Sequence, residues 1–144
     1  MRANCHALIY LHMSVENQCK TSSQGSSSVL EAMRIALSEF AKDRDWGQFH
    51  SIRNLVLALV GEVGELAAEF QWLNDEQVES AMLDTQKREA VGSELADILA
   101  YLIRIADVAQ FDLESELMKK IQVNESRYPI EKSKGSSAKY TMYD

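Results

Sequence analysis

The segment SIRNLVLALVGEVGELAAEFQWL, residues 51–73, decides the fold of this chain. Its large apolar residues recur every three or four positions, which is the spacing of one face of an α-helix. That face is formed by Leu55, Leu59, Leu66 and Phe70, and an adjoining face is formed by Ile52, Val56, Val63 and Ala67. A helix that is apolar on two adjoining faces is typical of the centre of a bundle or of a subunit interface. The segment therefore predicts a central helix over 51–73.

Three further segments have helical periodicity, at 29–42, from about 85 to 109 and from about 112 to 128, and each predicts a helix. The pattern does not fix the residue at which the middle one of these three helices begins. The first should begin after Ser28, because Ser28 and Glu31 have the spacing of a capping box. The last should end before Pro129, since a proline disfavours the α conformation in the preceding residue. Residues 74–79, NDEQVE, break the pattern. The residues expected to face inward are Val91, Leu95, Ile98, Leu99, Leu102, Ile105 and Ala106 in the third helix and Leu113, Leu117, Ile121 and Val123 in the fourth.

The composition agrees with a helical protein and excludes several classes. The 144 residues fit one domain, and one proline with six glycines is too few for the many turns of an all-β chain. We therefore expect an all-α fold of the four-helix-bundle type that oligomerises through its central helix. The net charge of −7 argues against binding of DNA or RNA polymers. No apolar run approaches the roughly 20 residues of a membrane span, so a cytoplasmic location is expected.

The ends of the chain differ from its helical centre. Residues 1–28 contain few large apolar side chains after Val15, which predicts a disordered leader, with Met13 as an alternative start. Residues 29–130 should form the helical domain, and residues 131–144 a basic tail. The potential metal ligands of the leader, which do not have the paired spacing of a zinc site, are Cys5, His6, His12 and Cys19.

Acidic residues placed inside apolar helices are the main functional signal. They are Glu62, Glu65 and Glu69 in the central helix and Glu94 and Asp97 in the next one. A carboxylate among apolar side chains is costly unless it is paired or coordinates a metal. The nearby cations Arg53, Lys87 and Arg88 occupy other helical positions, so spacing alone supplies no partner. Two facing pairs, ExxE and ExxD, would place four carboxylates around one point, an oxygen shell that suits Mg²⁺ or Mn²⁺.

A less specific interpretation of these acids stays open. Glu-x-x-Glu is common on solvated helix faces, so the chain could also be a non-catalytic helical adaptor. Gly61 and Gly64 favour a site, because each costs about 1 kcal/mol in a helix interior and close approach of another helix or a ligand would explain them. A di-iron bundle is excluded, because it needs Glu-x-x-His ligands and His50 is the only histidine after the leader.

Three segments carry a resemblance to a known family: DWGQFHSIRNLVLALVGEVGELAAEFQW at 45–72, ELADILAYLIRIA at 94–106 and RYPIEKSKGSSAKYT at 127–141. They contain the motifs FQW, RYP and KYT in that order. Their acids form the pattern ExxE, a spacer and ExxD, which here is Glu62, Glu65, Glu94 and Asp97. In these features most of the chain, roughly residues 30–141, resembles the MazG-like all-α nucleoside triphosphate pyrophosphatases and, within them, the dCTP pyrophosphatase branch.

The resemblance implies a house-cleaning enzyme that uses Mg²⁺, or Mn²⁺ as a substitute, to hydrolyse dCTP and modified pyrimidine nucleotides to the monophosphate and pyrophosphate. It implies a homotetramer, a dimer of dimers, with sites near subunit interfaces. The four signature acids would bind the metal, and Glu65 is our choice for the general base. The expected substrate-binding residues are Trp46, His50, Trp72 and Tyr101 for the nucleoside and Lys120, Asn124, Arg127, Lys139 and Tyr140 for the phosphates.

One departure from the branch concerns base recognition. Leu37 stands where animal dCTP pyrophosphatases have a histidine in the first helix. The alternatives of a dUTP or phosphoribosyl-nucleotide pyrophosphohydrolase therefore stay open beside dCTP.

Overall fold

The structure, a computed structural model, describes residues 28–143. All regular structure in this range is helical, which confirms the all-α prediction for the described residues. The helices are α1 Val29–Asp43, α2 Ile52–Ala68, α3 Asp75–Ala81, α4 Thr85–Val108, α5 Leu113–Arg127 and α6 Ile130–Ser133, with 3₁₀ turns at Trp46–Gln48 and Tyr140–Met142. Except for Ser28, the predicted leader lies outside the described residues, and so do Met13 and the leader cysteines and histidines.

Side-chain caps fix the starts of the helices that carry the core. Ser28 Oγ accepts a hydrogen bond from the Glu31 N–H at 3.2 Å, and Ser51 Oγ accepts one from the Asn54 N–H at 3.2 Å. A cap of this kind stabilises a helix by about 1 kcal/mol, because it satisfies an N–H that has no partner within the helix. The predicted start of the first helix is therefore confirmed, and α5 ends before Pro129, as expected.

The region after α2 differs from the prediction. The helix ends at Ala68 instead of continuing to residue 73, and the segment NDEQVE forms part of the short helix α3 instead of a break. Lys87, which projects from α4, donates to the main-chain carbonyl of Glu69 and so satisfies an acceptor at the C-terminal end of α2. A capping box formed by Asn74 and Gln77 then starts α3.

The core lies between α2 and α4, which form the main packed pair, with α1 packed against α4. Its buried apolar side chains are Phe40, Ala41, Leu55, Val91, Ile103 and Ala106. The first predicted face of α2 is buried or half-buried at all four positions. The adjoining face is exposed, with 47% exposure at Ile52, 41% at Val56 and 49% at Val63. A single chain therefore covers only one of the two apolar faces of α2.

The predicted inward orientation of α5 is wrong for a single chain. Leu113 is half-buried, but Leu117, Ile121 and Val123 are 58%, 40% and 43% exposed. The physical reason is that α5 is not among the extensively packed helix pairs of the described chain. The stripe of α4 is also wider than its partners can cover, because Leu95, Leu99 and Leu102 are exposed.

Within residues 28–143, each helix is too short or too polar to cross a membrane.

Candidate functional site

A cluster of three carboxylates joins α2 to α4. Glu62, Glu65 and Glu94 each place a carboxylate oxygen within 4.8 Å of the other two. Glu62 is only 4% exposed, Glu94 is half-buried and Glu65 is exposed. Three carboxylates this close repel one another unless a cation neutralises them, and oxygen-only ligands suit a hard divalent cation. The donor set therefore fits a divalent metal such as Mg²⁺ or Mn²⁺.

The other two acids singled out by the sequence have different positions. Asp97 is half-buried one turn further along α4 and is not part of the three-carboxylate cluster. Glu69 forms an ion pair in which its Oε2 lies 2.6 Å from Lys87 Nζ. Helical spacing alone supplies no cation for these acids, and Glu69 pairs with Lys87 because the α2–α4 packing brings the two residues together.

The two glycines beside the acids do not have the expected close neighbour within the described chain. A Cβ added at Gly61 or Gly64 would meet nothing within 4 Å. The surface of α2 is therefore open at these positions. The prediction of a close approach by another helix or ligand is wrong for the described chain taken alone.

An aromatic cavity lies at the junction of α1, α4 and the turn before α2. Trp46, His50 and Tyr101 all line it, so the structure brings three of the predicted nucleoside contacts together. The remaining lining residues are Leu37, Phe40, Ala41, Ala100 and Arg104, and the cavity volume is about 30 Å³. An aromatic wall of this kind can stack on a planar ring.

Local hydrogen bonds hold the two aromatic residues of the turn in place. Asp45 adopts a left-handed backbone conformation, with a φ of 52°, which aspartate tolerates better than most residues. The turn places the ring of Trp46 against Phe40, with centroids 5.7 Å apart. The His50 N–H then donates to the Trp46 carbonyl at 3.2 Å. The ring centroids of Trp46 and His50 are 6.2 Å apart.

The environment of His50 disfavours its protonated form. Burial is the larger cause and the nearby charge of Arg104 the smaller one, and both lower the pKa of His50 from its usual 6.5. The imidazole is therefore neutral at physiological pH and can accept or donate a hydrogen bond.

Trp72 does not join the aromatic cavity. It lies in the turn after α2, is 83% exposed and is absent from the residues that line the cavity. Within the described chain, Trp72 thus lies apart from the other three predicted nucleoside contacts.

The predicted phosphate-binding residues lie on α5 and the C-terminal segment. Lys120, Asn124 and Arg127 are exposed on α5, and the guanidinium of Arg127 lies 5.0 Å from the ring centroid of Tyr140. Arg127 and Tyr140 are therefore in contact, and Lys139 directly precedes Tyr140 in the sequence. Helix α5, which carries three of these residues, is not among the extensively packed helix pairs of the described chain.

Arg104 is a cavity residue that the sequence prediction missed. Its side chain is 11% exposed, and its Nη1 donates to Asp107 Oδ2. Asp107 Oδ1 also accepts from Arg34 Nη1 at 2.7 Å, so the same carboxylate links α4 to α1. The spacing of Asp97, Tyr101 and Arg104 places all three on one face of α4 and could have identified Arg104.

The sequence of the chain is similar to those of known proteins. The sequence matches the MazG-like family over residues 58–142. It is 47% identical over 116 residues to dCTP pyrophosphatase 1 of Bos taurus, covering 81% of this chain and 69% of that protein. It is 46% identical over 112 residues to dCTP pyrophosphatase 1 of Homo sapiens, covering 78% of this chain and 66% of that protein. The matched region is thus about two thirds of the length of these relatives.

The fold is similar to the crystal structure of a pyrophosphatase from Archaeoglobus fulgidus. The TM-score is 0.66 at 30% sequence identity, and the match covers 75% of this chain and 99% of the other.

Proposed function

This chain belongs to the MazG-like family, and from that premise we propose that it hydrolyses dCTP and related or modified pyrimidine nucleoside triphosphates to the monophosphate and pyrophosphate. The observation that carries the proposal is the three-carboxylate cluster of Glu62, Glu65 and Glu94, in a chain 46–47% identical to proteins named dCTP pyrophosphatase 1. The proposed role is the house-cleaning of nucleotide pools, and the proposed location is the cytoplasm.

The acidic cluster would hold Mg²⁺, with Mn²⁺ as a substitute. Glu62, Glu65 and Glu94 are the ligands that lie together, and we assign Asp97, one turn from Glu94, as the fourth. When bound, the metal offsets the negative charge of the triphosphate and of the pyrophosphate that leaves. Without a divalent cation, this cluster and the triphosphate repel each other, so nucleotide binding itself should depend on the metal.

Glu65 is the proposed general base. It is the exposed member of the cluster, so its carboxylate is accessible to a water molecule that attacks the α-phosphate. The carboxylate would orient that water and accept its proton. Buried Glu62 is suited to metal binding alone, since it is only 4% exposed.

Trp46, His50, Tyr101 and Trp72 are the proposed nucleoside contacts. The first three gain support from their shared cavity. A contact between Trp72 and the nucleoside requires that the turn after α2 face the bound nucleotide in the assembled protein. The proposed phosphate contacts are Lys120, Asn124, Arg127, Lys139 and Tyr140.

We propose that a second copy of the chain completes the site. The uncovered strip of α2 is apolar and lacks bulky side chains at Gly61 and Gly64, while Leu57 and Val60 are each 63% exposed. An apolar face of this kind is typical of a surface covered by another subunit. Helix α5 is also exposed, and it carries Lys120 and Arg127, two of the proposed phosphate contacts. The proposed assembly is a homotetramer formed from two dimers.

A pyrophosphate-release screen tests the reaction. Purified protein should release pyrophosphate from dCTP or a modified dCTP with Mg²⁺, and the release should stop when the chelator EDTA is added and return with excess Mg²⁺. The eight common NTPs and dNTPs belong in the same screen. Activity restricted to dUTP or to purine nucleotides would overturn the substrate assignment. A protein that binds no nucleotide with Mg²⁺ would instead be the helical adaptor.

Mixing two inactive variants tests the shared site. Glu65→Gln removes the base from one copy, and Arg127→Met removes a phosphate contact from the other. After co-refolding in equal amounts, mixed pairs contain one intact site, so activity should return to about one quarter of the parent value in a two-fold symmetric pair. No recovery in verified mixed oligomers would place each site within one chain.

A further inference from the structure

Arg104 lines the aromatic cavity, and one of its hydrogen-bond donors is unused. Its Nε is buried, and no acceptor for it is present among the described residues. The salt bridge to Asp107 uses Nη1 and leaves the Nε–H available. A buried donor with no acceptor destabilises the folded state, so this arrangement is unfavourable for stability alone.

A second polar atom without a partner lies beside the same cavity. Nδ1 of His50 is buried and has no hydrogen-bond partner among the described residues. His50 and Arg104 both line the cavity, together with the rings of Trp46 and Tyr101. Its volume of about 30 Å³ equals roughly one water molecule, so it admits the edge of a planar ring and not the whole ring.

The position of Arg104 along α4 agrees with a role at the far end of a nucleotide. Arg104 follows Glu94 by ten residues, so their Cα atoms are about 15 Å apart along the helix axis. Tyr101 lies between them, on the face that also carries Asp97 and Arg104. An extended nucleotide with its phosphates at the acidic cluster can therefore reach the cavity with its base.

We propose that Arg104 is a specificity-determining residue that reads the base, its Nε–H donating to an acceptor on the Watson–Crick edge of a pyrimidine that enters the cavity beside His50. This inference rests on the proposed function. In cytosine, N3 accepts the Arg104 hydrogen bond, and the exocyclic amine donates to His50 Nδ1. The edge of the ring remote from the sugar enters first, because the sugar and phosphates extend back toward the acids.

Substrate analogues combined with variants test this contact. The first comparison is kcat/KM for dCTP against 3-deaza-dCTP, which lacks the N3 acceptor. The parent protein should prefer dCTP by about 10- to 100-fold, the usual effect of a hydrogen bond to a charged donor. Arg104→Lys keeps a cation that can pair with Asp107 but removes the Nε–H. The preference should fall to nearly one in this variant, mainly through KM.

Arg34→Met is the matched control. It removes the other cation on Asp107, yet Arg34 does not line the cavity. The control should retain the preference for dCTP over 3-deaza-dCTP. If Arg104→Lys lowers kcat/KM equally for both substrates, Arg104 has a structural role and the inference is overturned.

Binding of the product separates this inference from the proposed function. Calorimetric titration with dCMP measures base recognition without hydrolysis, and Arg104→Lys should weaken that binding by about 10-fold or more. A parent protein that hydrolyses dCTP but does not distinguish 3-deaza-dCTP would overturn the role of Arg104 alone. A parent protein that hydrolyses no nucleotide would overturn the proposed function, and the dCMP titration would then decide the role of Arg104.

Discussion

Glu65 and Glu69 are one helical turn apart at the C-terminal end of α2, yet their surroundings differ. Glu65 lies with Glu62 and Glu94, whereas Glu69 is paired with Lys87. Sequence spacing assigns both glutamates to the acidic site, because each is an acid in an apolar helix. Only the packing of α4 on α2 distinguishes the two, since it supplies the cation to one of them.

The first prediction compares these two acids. Glu65→Gln should lower kcat for nucleotide hydrolysis by about 10²-fold or more, because the amide cannot accept the proton of the attacking water. The matched substitution Glu69→Gln should retain most of the activity and reduce the free energy of unfolding by about 1 kcal/mol or less, the usual range for a partly exposed ion pair. Steady-state pyrophosphate release and urea unfolding measure the two effects. Equal loss of kcat in both variants would remove Glu65 from the role of base.

The second prediction concerns His50 and pH. The pKa of His50 is lower in the folded protein than the value of 6.5 it has when unfolded, so the unfolded chain binds more protons as the pH falls. Stability should therefore fall as the pH drops through about 6.5 and continue falling to the folded-state pKa. His50→Gln should lose less stability than the parent between pH 7.5 and pH 5.5, measured by urea unfolding. An identical pH dependence in the two proteins would contradict the lowered pKa.

The sequence predicts individual contacts well only where they depend on local spacing. Ser28 caps α1 as expected, and Glu62 meets Glu65 because they are one turn apart. Arg104 was missed because an arginine three residues before Asp107 also fits an ordinary surface ion pair. Its burial against α1 and the turn at Trp46 depends on residues about sixty positions earlier, which periodicity does not report.

At the scale of elements, the α2–α4 pair carries most of the fold. The periodicity of α4 predicts its C-terminal end to within one residue, because the hydrophobic stripe continues from Val91 to Ala106 without interruption. The end of α2 was predicted about five residues too late, since the apolar pattern continues past Ala68 while the backbone turns. The termination depends on Lys87 and on the cap at Asn74, and the first of these is a tertiary contact.

The third prediction tests the core of this pair. Leu55→Ala should reduce the free energy of unfolding by about 2–5 kcal/mol, because Leu55 is only 2% exposed and its truncation leaves a cavity. The same substitution at Leu83, which is 85% exposed, should change it by about 0.5 kcal/mol or less. Denaturant unfolding followed by circular dichroism measures both variants. Similar losses would mean that Leu55 is not a core residue.

At the scale of the whole molecule, one chain leaves too much apolar surface uncovered. The exposed faces of α2 and α5 include several large aliphatic side chains, whereas the sequence predicts that both helices bury them. Periodicity identifies which residues are expected to be buried, but it does not indicate whether the surface that covers them belongs to the same chain. The predicted oligomer would bury these exposed side chains of α2 and α5.

The fourth prediction tests this assembly. The parent protein should sediment as a tetramer, and Val60→Asp should shift it to dimers or monomers because it places a charge in an apolar interface. Val29→Asp is the control, since Val29 is 73% exposed at the first position of α1, where an acid suits the helix dipole. Analytical ultracentrifugation measures the masses. A monomeric parent protein would contradict the proposed assembly.

One unbroken helix, α4, carries Glu94, Asp97, Tyr101 and Arg104. This placement limits the insertions and deletions that the chain can tolerate. Inserting or deleting a single residue between Glu94 and Arg104 would rotate everything beyond it by about 100° about the helix axis. The proposed metal ligands and the arginine proposed to read the base would then face different directions. Descendants of this gene should therefore accept changes in length between α2 and α4, where residues 69–84 form turns and one short helix, but not within α4.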